Sequence, residues 1–107
     1  MRVLRFIVED QIIRQDPNCD FSGLVPGSSG LVRAEFSFSS EWNDIMRVVA
    51  FYSNLGKEYT PRVLGYGEAC TIPEEALANY IFKVQVKGIK SGMKVETNKI
   101  EVYQKGV

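Results

Sequence analysis

The chain has no histidine. That absence removes the usual general base near neutral pH, the commonest transition-metal ligand, and every nucleophile arrangement built on Ser-His or Cys-His. Cysteine is scarce as well. Cys19 lies in a polar loop and Cys70 at the edge of an apolar strand, and two separated cysteines make no structural zinc site alone. In a reducing compartment both are expected as free thiols. An excess of either charge is also missing, since 13 basic residues balance 13 acidic ones. No net field therefore draws the protein to nucleic acid or to an anionic membrane. Apolar runs are only a few residues long, too short to span a bilayer. The N-terminal "MRVLRFIVEDQ" has arginines at 2 and 5 and then acids, unlike a signal peptide, so synthesis in a cytoplasm without secretion is expected.

What is present is a period of two. Leu4, Phe6 and Val8 alternate with Arg5, Ile7 and Glu9. "QIIRQ" either continues that strand or pairs back after a turn at Glu9-Asp10. "DPNCDFSGLVPGSSG" is dense in turn formers and reads as a long loop, pinned by Phe21, Leu24 and Val25. In "LVRAEFSFSSEW", Val32, Ala34, Phe36 and Phe38 point one way and Arg33, Glu35 and Ser37 the other. Ser39, Ser40 and Glu41 then turn the chain, and Trp42, the only tryptophan, is expected to pack over the end of the fold.

Ile45 to Ser53 is a second strong strand, with Phe51 inside and less clean alternation, as for burial on both faces. "EYTPRVLG" and "YGEACTI" supply short strands, the first interrupted by Pro61. "IPEEALANY" is the only helical candidate, with Pro73 at a first helical position and Glu74-Glu75 at the positive end of the dipole. "IFKVQVKG" places Phe82, Val84 and Val86 inward and Lys83, Gln85 and Lys87 outward. A Ser91-Gly92 hairpin turn leads to a final strand, "VETNKIEVYQ". Residues 1–107 are thus expected as one domain, an all-β, immunoglobulin-like β-sandwich of about seven or eight strands with one short helical crossover. The expected structural core is Phe36, Phe38, Trp42, Phe51, Phe82, Val84 and Val86.

Chemistry-bearing patterns are thin. Neighbouring carboxylates on a strand point to opposite faces, so Glu9-Asp10 reads as a turn and Glu74-Glu75 as a helix start, not as acid/base pairs. "VPGSSG" lacks the Lys-Ser/Thr ending of a phosphate loop. Asp16, Asn18 and Asp20 have the spacing that opens a calcium loop, but the turn glycine and the closing glutamate are missing. Cys19 has no basic neighbour within three residues to activate it. In "YIFKVQVKGIKSGMK" the aromatic and the lysines alternate, as on a solvated strand, so no nucleic-acid partner is expected. No catalytic residue, metal site or cofactor is expected. The residues best suited to a partner are tyrosines, which offer apolar area with a polar tip: Tyr52, Tyr59, Tyr66 and Tyr103, with Tyr80 beside them.

The succession "AEFSFSSEW", "VVAFYS", "CTIPEEAL", "FKVQVKG" and "VETNKIEV" resembles a recurrent β-sandwich domain of phages and prophages of Gram-positive bacteria. In that family the domain stands at the N-terminus of tail-fibre or baseplate proteins, or alone. Phe36, Phe38, Trp42, Phe51, Ile72, Pro73, Leu77, Phe82, Val84, Val86, Gly88, Thr97 and Asn98 carry the likeness, which extends over about residues 30–104. The first thirty residues look like those of stand-alone members. The resemblance implies a non-enzymatic structural or interaction module of tail, baseplate or capsid surroundings. Such a module would be made in the host cytoplasm and then built into the virion, with other virion proteins or a second copy as partners. A small inhibitor of a host defence protein and a binder of host-surface carbohydrate are the alternatives.

Overall fold

The computed structural model describes residues 2–27 and 32–104. The chain is all-β, with two sheets packed face to face and nine strands among the described residues. β1 (Arg2–Glu9) pairs back with β2 (Ile12–Gln15) through a two-residue turn, Asp10-Gln11, in which Asp10 takes a positive φ of 52°. After the long loop, β3 (Val32–Phe38) returns on the other side of β1 and runs parallel to it, with Phe6 beside Phe36. A short edge strand, β6 (Ala69–Thr71), completes a sheet of order β2-β1-β3-β6. The second sheet has β4 (Met46–Ser53) and β7 (Ile81–Lys90) at its centre. β5 (Arg62–Gly65) flanks β4, and both β8 (Met93–Glu96) and β9 (Ile100–Tyr103) flank β7. The helix α1 (Glu74–Leu77) carries the chain from β6 across to β7.

Several boundaries differ from the sequence reading, two of them with consequences for the fold. "VETNKIEVYQ" is two strands, not one, which raises the count from seven or eight to nine. The break at Thr97–Lys99 has a local cause. The Thr97 hydroxyl accepts the Val86 N–H (3.0 Å) in place of a backbone carbonyl, and Asn98 turns toward the opposite sheet. There its side-chain amide accepts the Ile13 N–H at 2.8 Å and donates to the Ile13 carbonyl at 3.2 Å, so it serves the edge of β2 as a one-residue strand. Pro73 sits one position earlier than expected, at the N-cap with no side-chain cap bond, and the helix begins at Glu74.

The core lies between the sheets. Leu4, Phe6, Val8, Ala34 and Phe36 from one sheet meet Val49, Phe51, Phe82, Val84, Val86 and Val102 from the other, all buried. Phe21 and Leu24 pin the long loop, Phe21 edge-on to Phe6 at 5.5 Å, whereas Val25 is exposed. Phe38 is a correction to the expected core list, because it is only half-buried. It lies at the rim, 6.0 Å from Phe36 and 5.6 Å from Trp42 between ring centres, and the Arg47 guanidinium covers its other surface at 4.0 Å.

Trp42 closes this end. It ends a 3-10 turn (Ser40–Trp42) and is 1% exposed, and its indole N–H donates to the Asp10 carbonyl at 2.6 Å. Its ring lies against Gly88 of β7. A β-carbon at Gly88 would come 2.5 Å from Ile45 Cγ2 and 3.0 Å from Trp42 Cζ3, so glycine here is demanded by close approach. Trp42→Ala should cost about 3–5 kcal/mol, the loss typical of a buried tryptophan. Gly88→Ala should cost about 1–3 kcal/mol by overpacking. Chemical denaturation of both variants checks the pair of values.

Candidate functional site

Alternate residues on paired strands share a face. On the outer face of the five-stranded sheet, Met46 pairs with Ile89, Val48 with Lys87, Ala50 with Gln85 and Tyr52 with Lys83. Val63 of β5 adjoins Val48, while Lys94 and Glu96 of β8 adjoin Ile89 and Lys87. One half of this face is apolar and open. Met46, Val48 and Ile89 line a groove of about 480 Å³ floored by Gly88, and Lys87, Lys94 and Glu96 form its rim. Met46 is 52% exposed, Ile89 61% and Val63 73%. Apolar side chains grouped on a sheet face that would otherwise be wet make this half the candidate site.

The other half of the face is closed by a polar network. Tyr52 donates its hydroxyl to Gln85 Oε1 at 2.7 Å, and Gln85 Nε2 donates to the Thr97 carbonyl at 2.7 Å. The Lys99 ammonium sits 4.1 Å from the Tyr52 ring centre, and Lys87 reaches both that ring and Glu58, the latter at 3.6 Å. Burial pushes the Tyr52 hydroxyl above the usual phenol range despite Lys87 nearby. The adjoining Tyr52 raises Lys87 in turn.

This arrangement withdraws Tyr52 from the expected contact set. Tyr52 is buried, 5% exposed, because the outer face folds Lys87, Lys99 and Glu58 over it. Gln85, expected outward and wet, is buried with it. Tyr59 is half-buried and its hydroxyl accepts a bond from Asn79. Tyr66, Tyr80 and Tyr103 are exposed but do not converge. Tyr66 follows Gly65, level with Gly88 of β7, whereas Tyr103 pairs with Ile81 next to Tyr80. From Gly88 to Ile81 is roughly 23 Å along the strand. Met46, Val48, Val63, Ile89, Lys94 and Glu96 were not singled out from the sequence. Their signal was there in two forms: apolar residues at both parities in "IMRVVAFY", and Ile89 breaking the outward run Lys83, Gln85, Lys87.

Other candidates dissolve into local structure. Asp16 Oδ1 accepts the Asn18 N–H and Asp20 Oδ1 the Ser22 N–H, so these carboxylates cap turns. Among the described residues no group of three or more acidic or cysteine side chains could hold a metal. Ser28 to Gly30 of "VPGSSG" lie outside the described residues. Both cysteines are free thiols, and burial pushes Cys70 up to about 11, against the pull of Arg62 and Arg33.

Tyr52→Phe should cost about 1–3 kcal/mol, because it strands the buried Gln85 oxygen. A raised phenol pKa favours the neutral form in the folded state, so its stabilisation is complete below the ordinary phenol value and is lost as pH rises through the folded one. Melting followed from pH 8 upward should show a decline beginning near pH 10, shallower in Tyr52→Phe. No protein-family model, no curated protein and no solved structure matches this chain.

Proposed function

We propose that the protein is a non-enzymatic interaction module, an immunoglobulin-like β-sandwich that works through protein–protein contacts made by the outer face of its five-stranded sheet. The observation that carries this reading is the open apolar groove of Met46, Val48 and Ile89. Its charged rim is of both signs, which suits a folded protein partner better than a polyanion or a membrane surface. Two mainly antiparallel sheets with connections gathered at their ends support the immunoglobulin-like reading, with the parallel β1–β3 pair as its departure.

The setting follows from the sequence resemblance: a phage or prophage particle, in tail, baseplate or capsid surroundings, reached from the host cytoplasm. Sugar stacking by a row of tyrosines loses support with Tyr52 buried, Tyr59 half-buried and Tyr66 at the opposite end of β7 from Tyr80 and Tyr103. Inhibition of a host defence protein has no specific feature in its favour, since the chain is neutral.

Mass spectrometry of purified particles from an induced host should detect the protein at stoichiometric levels. Cross-linking should place its contacts at Lys87 and Lys94. Absence from particles would sink the particle setting, and cross-links confined to the four-stranded sheet would sink the choice of face.

A further inference from the structure

β8, the second strand of the β7–β8 hairpin, forms one edge of the five-stranded sheet; among the described residues its Lys94 backbone makes no hydrogen bond, and its Glu96 carbonyl meets the Gln11 side chain at 3.4 Å. Ser91 and Gly92 both have positive φ, 51° and 79°, and form a two-residue loop between Lys90 and Met93. In such a hairpin the flanking residues exchange hydrogen bonds, and so does every second pair after them. Lys90/Met93 and Gly88/Val95 are then the bonded pairs. Lys94 and Glu96 direct their N–H and C=O groups away from β7. Two observations agree with this alternation. Thr97 donates to the Val86 carbonyl at 3.0 Å, as the next bonded pair should. The Glu96 carbonyl accepts a side-chain contact from Gln11, on the side away from β7, at 3.4 Å.

We propose that a second copy of this chain pairs antiparallel with β8 in a register centred on Val95, joining two five-stranded sheets into one. This deepens the reading of the protein as an interaction module and rests on it. In that register Lys94 faces Glu96 of the second copy and Glu96 faces its Lys94. These are the residues whose backbone groups point outward, so each facing pair also exchanges two hydrogen bonds, the incoming Lys94 N–H replacing the long Gln11 side-chain contact at the Glu96 carbonyl. The strand is self-complementary in charge and in bonding at once. Opposite charges directly across a strand pair stabilise it, and like charges do the reverse. Of the other four-residue edges, β2 is served by Asn98, β5 is preceded by Pro61, and β9 carries Glu101 alone with no opposite charge to face it, whereas no hydrogen bond to the Lys94 backbone is found among the described residues. Ile89, which pairs with Lys94, carries the apolar groove up to this edge, so the shared sheet would bear one groove on each side of its dyad. The chain has no net charge to oppose the approach of a second copy.

The test is sedimentation velocity over micromolar to millimolar concentrations. The wild-type chain should dimerise reversibly. Lys94→Glu and Glu96→Lys should each weaken dimerisation by at least about tenfold, since each sets like charges opposite one another twice. An equimolar mixture of those two variants should dimerise as well as wild type, because one copy then carries acids at both positions and the other carries bases at both. Lys94→Pro removes an outward N–H and should abolish dimerisation while leaving melting close to wild type; if that variant fails to fold, the mixing result decides alone. A chain that stays monomeric at millimolar concentration overturns the proposal, as does a dimer indifferent to both charge reversals or one that mixing does not restore. None of these failures touches detection in particles, which tests the broader reading separately.

Discussion

A single indole ring holds one end of the two sheets in register. Trp42 belongs to the connection between them. It bonds through its N–H to the β1–β2 turn on one side and rests on Gly88 of β7 on the other. The close approach requires that β7 offer no side chain at that point, so the tryptophan and the glycine are two halves of one constraint. Arg47 completes the closure from β4. Its guanidinium donates to the Trp42 carbonyl at 2.8 Å and to the Gly67 carbonyl at 3.2 Å, and lies over the Phe38 ring. It is 6% exposed and, among the described residues, pairs with no carboxylate. A buried cation held by carbonyl dipoles and a ring tolerates little displacement, because each lost bond leaves a desolvated donor. The aromatic row Phe6, Phe36, Phe38, Trp42 therefore ends against a fixed charge.

That closure also shapes the outer face. With Gly88 bare beneath Trp42, the opposite side of β7 at the same level is a shallow floor between Met46, Val48 and Ile89. Farther along the strand, Tyr52 and Gln85 fill the face and lysine stems cover them. Lys87 stands between the halves. It belongs to the Tyr52 and Glu58 network on one side and to the groove rim on the other. Occupancy of the groove and order in the tyrosine network thus share one side chain.

Alternation made most of the strands legible, since Leu4/Phe6/Val8 and Phe82/Val84/Val86 can face only one way together. The β1–β2 hairpin was one of two open readings, and a two-residue Asp10-Gln11 turn realises it. The break in the last strand was hidden because Thr97 and Asn98 act through their side chains, which strand periodicity does not register. The parallel pairing of β1 with β3 was equally hidden, as a long loop leaves strand direction undetermined. The candidate surface was the least legible part. An outward Tyr52 and an outward Met46 are the same pattern in sequence, and only the neighbours three strands wide show that one is covered and the other bare.

The Asn98 contact with Ile13 spans 85 positions of the chain. Structures rich in such distant pairings fold slowly, because loop-closure entropy must be met before the contact contributes anything. During synthesis, β1 and β2 emerge long before the segment that will satisfy the outer edge of β2. Until Asn98 arrives, the Ile13 amide and carbonyl remain available to any passing strand. The kink that splits the last strand thus sets the moment at which the growing chain ceases to be adhesive along that edge.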